Sequence, residues 1–491
     1  MRSDEQHQRR RAPLVLLRLI LVAALPVLVA LLTAPTAFGG SVLPWQPQMV
    51  DLDVYRRAGA AVLSGQDLYS AADPALPFLY PPFSAVLSVP LGLLPATPVQ
   101  IGWLVLNVLA LLAVLHRLGL SGWVLSLVTA GTIWFVEPVR HTLAYGQLGI
   151  FLVALVLLDL VPGPRLLSAR RWLPAGVLAG LGAAIKLTPG IFVPFLLLVR
   201  DRAARVGAVG AIAGFGGCTL LGTLVLPSAS IGYWSRLATG DSGTESYHYL
   251  TNQAVLGSWL RLVGLGGWQS ASGMVLAAAV AALGLWAGVL LVRRTARVPL
   301  SSLSSPSSLN SPSSRWGASD SGTPIAAAVC VVGVAGLLAS PISWSHHFVW
   351  VLPLAVVLAR PALCPFSRPA QVAGWLFVAW VSAAPFMMLP AGSDVELNYQ
   401  PWQLLLVSVT PVLGIAFLIA TLASSSPASP PSASSAIRTA RPKNETGSYA
   451  EVSVARQPRP AFGFAPAPAA GVQNHEASTG GDDGGSETAQ P

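Results

Sequence analysis

Asp51 and Asp53 open the stretch DLDVYRRA, just ahead of an apolar-periodic run from Val54 to Leu63 that reads as a short helix. A carboxylate there could take a proton from a hydroxyl, or one of the two could cap the helix. Further on, EPVRHTLAYGQLG carries Glu137 and Arg140. These are either an ion pair at a helix end or a guanidinium available to grip phosphate oxygens in pairs. Lys186, in AAIKLTPG, is one of only two lysines in the chain. It reads as a snorkelling residue or as the cation that holds an anionic lipid head group. SPISWSHHFVW holds His346 and His347, which on a helix point about 100° apart and do not readily share a metal. Hydrogen bonding or phosphate contact suits them better than zinc. In YHYLTNQAVLGSWLRL, Asn252 and Gln253 are caps of a short interfacial helix, or amides for a sugar beside Tyr247 and Tyr249.

The chain that must position these residues is 53% hydrophobic and only 10% charged, with a mean hydropathy of +0.62. A soluble domain carries roughly 25% charged residues, so that class is excluded. Apolar runs of about 15–22 residues recur, the length needed to cross roughly 30 Å of hydrocarbon at 1.5 Å per residue. The fold expected is an all-α polytopic membrane protein. Its spans fall at 14–33, 98–115, 121–137, 148–162, 173–186 with 188–199, 206–227, 273–292, 324–340, 344–359, 370–390 and 402–423. The first run follows Arg9–Arg11 and is long for a signal peptide, so it reads as a retained helix. The pair at 173–199 is too short for two crossings and is interrupted by Pro189 and Gly190. It reads as a hairpin of broken helices, tolerated at membrane depth only inside protein or against a wet cavity. Gly176 and Gly180, four residues apart, suit close helix packing. Cys218, Cys330 and Cys364 suggest neither a disulfide framework nor a zinc site.

The formal charge is +9, but the basic residues are scattered in short clusters between spans. That pattern sets topology and does not indicate nucleic acid. His116-Arg117, Arg165 with Arg170-Arg171, Arg200 to Arg205, Arg293 to Arg297, and Arg360 with Arg368 join Arg9–Arg11 on one side, the cytoplasm by the positive-inside rule. The segments 34–97, 138–147, 228–272, 341–343 and 391–401 then face outward, with Arg56-Arg57 an exception. Residues 1–13 form a cytoplasmic N-terminus and 14–423 the membrane domain. A Ser-rich linker (301–323) and a Ser/Pro/Ala/Gly-rich tail (424–491) cannot bury enough apolar surface to offset ordering entropy. Asn444-Glu445-Thr446 in that tail is a chance sequon, and GAVGAIAGFGG, within a span, is no nucleotide loop.

Six motifs in order, DLDVYRRA, FLYPPFSAVLSVPLGLLP, EPVRHTLAYGQLG, AAIKLTPG, TNQAVLG and SPISWSHHFVWVLPL, span roughly Val50 to Leu354. In this the chain resembles glycosyltransferase family 87, the actinobacterial polyprenyl-phosphate-mannose-dependent α-1,2-mannosyltransferases of phosphatidylinositol mannoside and lipoarabinomannan assembly. The resemblance implies a GT-C-type fold with about 10–12 transmembrane segments and an extracytoplasmic active site in a multi-pass plasma-membrane protein. The family's D-L-x-V-Y pattern falls on Asp51 as catalytic base, with Asp53 at the variable position. The implied donor is a polyprenyl-phosphate-mannose and the acceptor a mannosylated lipid, joined with inversion. Arg140, Lys186, His346 and His347 would stabilise the leaving lipid phosphate. Asp53, Tyr80, Glu137, Gln147, Asn252 and Gln253 complete the substrate-binding set, and no metal or cofactor is implied. Two departures bear on the acceptor: Gly149 stands where family members carry Asn, and Asn252-Gln253 is followed by Ala254 rather than Ser. The competing readings are a flippase of a lipid-linked sugar, which broken helices and buried cations also suit, and a related transferase using arabinose.

Overall fold

The computed structural model describes residues 17–33, 49–69, 76–164, 173–240, 247–295 and 322–425. Outside them lie the Ser-rich linker up to residue 321, the tail beyond residue 425 with its sequon, Arg9–Arg11, and the Arg165 to Arg171 cluster. The chain divides into two units, Met1–Pro427 and Ala428–Pro491, and the second is wholly outside the described residues. Among the described residues there is no strand, only an isolated bridge between Asn252 and Trp344.

An apolar helix α1 (Leu17–Thr33) precedes α2 (Val50–Ser64), the short helix expected at Asp51. Pro81 and Pro82 open α3 (Pro82–Leu87), followed by α4 (Val89–Leu93) and the long α5 (Ala96–Arg117). Helices α6 (Gly122–Phe135) and α7 (Glu137–Tyr145) meet at a 79° bend. Thus 138–147, expected as an outward loop, is mostly a buried helix, started by Pro138 and stopped by Gly146 in the left-handed region. Next come α8 (Gly149–Leu160), α9 (Val177–Ile185), a 3-10 turn (Thr188–Ile191), α10 (Phe192–Val199), α11 (Arg202–Val225) and α12 (Pro227–Ala238). The chain finishes with α13 (Val255–Val263), α14 (Gly267–Thr295), α15 (Gly322–Ala339), a second 3-10 segment (Ser345–Trp350), α16 (Val351–Ala359), α17 (Arg368–Ala383) and α18 (Pro401–Ser425).

Among the described residues, five helices are long and apolar enough to cross a membrane, six if α6 and α7 count as one bent span, and five shorter apolar helices accompany them. This is a multi-pass membrane protein. Several runs that read as spans are interrupted: 148–162 shrinks to α8, whose 12 residues rise only about 18 Å, and 344–359 begins in 3-10 geometry. Helix α15 is apolar on every face and buried throughout its middle, the expected fate of such a helix at the centre of a bundle. By contrast α11 exposes Val209, Ile212, Leu220 and Leu224, a surface suited to lipid.

The interrupted pair behaves as a hairpin, and its arms both pack on α11. A Cβ on Gly176 would lie 1.8 Å from the Gly207 carbonyl oxygen, and one on Gly180 2.1 Å from that of Ala211. Only glycine admits this contact, as the four-residue spacing predicts. The foot of α9 is capped from α8: the Asp159 carboxylate accepts the Gly176 and Ala179 N–H groups, both at 3.0 Å. Basic side chains at the same end cap helix C-termini. Arg117 donates to the carbonyls of Leu158 (3.0 Å) and Val161 (2.8 Å), Arg360 to Leu118 (3.1 Å) and Arg293 to Leu198 (2.8 Å). The clusters that sequence statistics assign to one membrane face thus also close helix ends.

Replacing Asp159 by alanine leaves two buried donors without partners. It should lower stability by about 1–3 kcal/mol, read as a lower denaturation midpoint in detergent.

Candidate active site

Asp51 sits in the first turn of α2, whose N-cap position is Met49 in the left-handed region (φ 52°). Neither Asp51 nor Asp53 is the cap, so that reading of the pair falls. Two residues apart on a helix, their side chains point to nearly opposite sides. Asp53 pairs with Arg57 (3.0 Å) and Arg56 (3.5 Å) at the surface, and Arg56 also bonds the Leu94 carbonyl (3.0 Å). In this structure Asp53 is engaged by these arginines, and its one negative charge offsets part of the positive charge that broke the asymmetry.

Asp51 faces inward. Gly146 (φ 73°) turns the chain at the end of α7, and a Cβ there would meet the Leu52 Cβ at 2.6 Å. This close approach brings Gln147 beside α2. The Gln147 side chain hydrogen-bonds the Asp51 carboxylate, and its Oε1 accepts the Tyr55 hydroxyl at 3.0 Å. Tyr55 in turn shares a 2.9 Å hydrogen bond with the Tyr80 hydroxyl. Lys186, the residue that ends α9, lies with its Nζ 5.3 Å from the centre of the Tyr80 ring and 2.7 Å from His347 Nε2. Burial pushes Asp51 up from 3.8 to about 6, against the Gln147 hydrogen bond and the positive charge of Lys186, which both pull it down. Five expected residues therefore converge: Asp51, Tyr80, Gln147, Lys186 and His347.

Others serve this cluster without entering it. His347 Nδ1 accepts the Trp344 N–H (3.2 Å), and the His346 carbonyl accepts the Thr142 hydroxyl (2.9 Å). The His346 and His347 rings stand nearly perpendicular, and His346 Nε2 is buried without a partner. Glu137 accepts from His141 and from the Ser345 hydroxyl (2.8 Å), tying α7 to the histidine segment. It does not pair with Arg140, which is rotated away from that face, forms no hydrogen bond or ion pair among the described residues, and does not line the cleft below. The expected Glu137–Arg140 ion pair is therefore not formed, and Arg140 does not line the cleft that Lys186 lines.

Asn252 and Gln253 are both 0% exposed. Asn252 donates to the carbonyls of Tyr247 (2.7 Å) and Pro341 (3.1 Å) and accepts the N–H groups of Ser343 (2.9 Å) and Ala254 (3.2 Å). Its amide has nothing left for a sugar. Gln253 bonds the Leu250 carbonyl (2.7 Å). Both fix the loop that leads to His346, and neither reaches a ligand. Two buried residues with no motif behind them hold this loop in place. Arg261 donates to the carbonyls of His248, Tyr249 and Asn252, and Glu396 accepts the N–H groups of Leu250 (3.1 Å) and Gly392 (3.0 Å).

Lys186 and His347 line a cleft of about 410 Å³ together with Tyr80, Ile191, Ala339, Ile342, Tyr233 and Arg236. Its lining is mostly apolar and includes two cations, Lys186 and Arg236. A cation beside a greasy channel suits a phosphate on a long hydrocarbon.

Comparison with known proteins places this arrangement. Residues 78–312 match the family model described as Glycosyltransferase family 87. A Mycolicibacterium smegmatis protein named polyprenol-phosphate-mannose-dependent alpha-(1-2)-phosphatidylinositol mannoside mannosyltransferase is 32% identical over 70% of this chain and 77% of its own length. The chain belongs to glycosyltransferase family 87. A Mycobacterium tuberculosis protein of the same name is 32% identical over 64% of this chain and 70% of its own. The M. smegmatis phosphatidylinositol pentamannoside mannosyltransferase is 30% identical over 78% and 85%. No solved structure matches. Family 87 proteins are glycosyltransferases of the GT-C type, so this membrane protein is an enzyme of glycosyl transfer, and the flippase reading lapses.

Asn252→Ala removes four hydrogen bonds worth roughly 1 kcal/mol each. Stability and transfer should fall together; a variant of unchanged melting temperature that had lost only substrate affinity would restore Asn252 as a ligand contact.

Proposed function

We propose that the enzyme transfers mannose from a polyprenyl-phosphate donor to a hydroxyl of a lipid-linked mannoside or lipoglycan, forming an α-(1,2) linkage with inversion in cell-envelope glycolipid assembly. The observation that carries this reading is the placement of Asp51 beside Lys186 and Tyr80 at a mostly apolar cleft. The mannose named for all three relatives supports that sugar over arabinose.

Inversion needs one base on the acceptor side and a stabilised leaving group on the other. Asp51 takes the proton from the acceptor hydroxyl as the new C–O bond forms. The bond from the anomeric carbon to the phosphate oxygen breaks, and its electron pair leaves with the lipid phosphate. Lys186, held by His347, faces the growing charge with its ammonium N–H donors, and Tyr80 adds a hydroxyl; such contacts are strongest in a water-poor site. Gln147 orients the carboxylate. An Asp51 lifted toward neutrality is a better base than an ordinary surface carboxylate and is still ionised at pH 7. The proposed location is the plasma membrane, with the site on the extracytoplasmic face and both termini in the cytoplasm, a reading supported by the arginines at the opposite helix ends.

Asp51→Asn should cut transfer at least about a hundred-fold, while Asp53→Asn should cost little. In the parent, kcat/KM should fall by about tenfold per pH unit below pH 6 and level off above it. Asp51 ionises less readily folded than unfolded, so its charge opposes folding as pH rises from 3.8 to about 6 and beyond. The Asp51→Asn protein should therefore melt no lower than the parent at pH 7, and a clear drop would make Asp51 a structural residue.

Sidedness is tested in a cysteine-free background carrying Ser64→Cys or Ser429→Cys, treated with an impermeant thiol reagent on intact cells. Labelling is expected at position 64 alone; labelling at 429 alone would invert the topology.

A further inference from the structure

The cleft is lined by a second cation besides Lys186, one that no motif marks. Arg236 lies on α12, its guanidinium carbon 4.5 Å from the centre of the Tyr69 ring. Tyr69 is itself stacked on Tyr233, with ring centres 5.9 Å apart and planes inclined by 21°, and its hydroxyl donates to the Tyr80 carbonyl at 2.8 Å. The stack is therefore tied to the residue that lies against Lys186. Stacking occupies one face of the guanidinium and leaves its N–H edge free. Among the described residues that edge meets no acceptor and no carboxylate pairs with it, although Arg236 is only partly exposed. No acidic residue lines the cleft.

An arginine placed this way is pre-organised for an oxyanion: its rotamer is held by the tyrosines, so little entropy remains to be lost on binding. One leaving phosphate is already served by Lys186 and Tyr80. Tyr80 and Tyr69 stand between the two cations in the chain of contacts that joins them, so each cation is assigned its own phosphate. We propose that Arg236, clamped on Tyr69, is a second phosphate site in the cleft. It binds the phosphodiester of a lipid and so sets which hydroxyl is presented to Asp51. The proposal deepens the function given above and rests on both substrates being lipids. The phosphodiester is that of the acceptor, because the donor carries a single phosphate and that one is held beside Lys186.

Binding is measured first, because it does not depend on turnover. Purified full-length protein, parent or Arg236→Gln, is titrated with phosphatidylinositol mannoside, with polyprenyl-phosphate-mannose and with a phosphate-free alkyl mannoside, following the fluorescence of tryptophans such as Trp344 in the cleft wall. Arg236→Gln should weaken binding of phosphatidylinositol mannoside roughly ten- to a hundred-fold, the scale of a charge-assisted contact, and leave the alkyl mannoside unchanged. Loss confined to phosphatidylinositol mannoside supports the acceptor site; loss confined to the polyprenyl lipid puts Arg236 on the donor's one phosphate and overturns the proposal. Tyr69→Leu, which keeps the charge and removes its platform, should give the same pattern in weaker form. Equal binding of both phosphodiester lipids by parent and Arg236→Gln proteins of matched melting temperature overturns the proposal. Transfer assays run beside these separate the two readings: a parent that binds as described yet moves no mannose refutes the proposed function and leaves the phosphate site standing.

Discussion

A backbone N–H or C=O left without a partner in a hydrocarbon layer costs several kcal/mol, and every side chain of the site stands where a helix is interrupted. Asp51 is in a first turn, Gln147 follows the end of α7, Lys186 ends α9 and His347 lies in a 3-10 segment. Each break exposes backbone groups that the regular helix would have paired. Several buried polar residues of this apolar chain are spent on such groups. Asn252 satisfies four backbone groups, Thr142 and His347 one each, and Asp159 two; Arg117, Arg293 and Arg360 close carbonyls at the other end. What is left over for substrate is a short set, and that economy makes it recognisable.

The same shortage of polar groups governs the electrostatics. Two carboxylates in one motif meet opposite environments. Asp53 stays at the surface between two arginines, where a screened pair contributes little to stability. Asp51 is withdrawn toward a cluster of tyrosines, where loss of hydration raises its proton affinity and Lys186 restrains the rise. A base and a cation within reach of each other keep the charge in the site low before substrate arrives. A phosphate diester brings its own anion and would draw Lys186 toward it, which lets Asp51 become more basic as the acceptor is deprotonated.

The membrane class, the broken hairpin and the glycine contact with α11 were legible in the sequence, because length, hydropathy and small-residue spacing act locally. So was the cluster of Asp51, Gln147, Lys186 and His347, through motifs that a family resemblance joined together. Where spacing alone had to decide a role, the outcome was mixed. Asn252 looks like a sugar ligand in one dimension and is consumed by backbone in three, whereas Gln253 gives its amide N–H to Leu250 and keeps an unpartnered side-chain oxygen. Arg140 sits one residue from His141, which is enough to rotate it off the face that meets Ser345. Glu396 and Arg236 carried no local signal, because Leu250 and Tyr69, which they meet, lie in distant segments; Arg261 reaches back 9 to 13 residues to carbonyls of its own stretch, a contact that no side-chain pattern marks.

The hairpin tip is an effective place for a phosphate-contacting cation, for a reason rooted in its foot. Glycine contacts hold α9 at backbone distance from α11, Asp159 fixes its first turn, and His347 meets Lys186 at its last residue. With both ends anchored, a nine-residue helix has little room to tilt or slide. The ammonium group is therefore already in position before the glycosidic bond begins to break. Donors that need not move when charge develops lower the barrier without a reorganisation cost. A continuous membrane helix could carry a lysine to the same depth, but it would bury the ammonium against its own turns; ending the helix at Ile185 frees Lys186 to face the cleft.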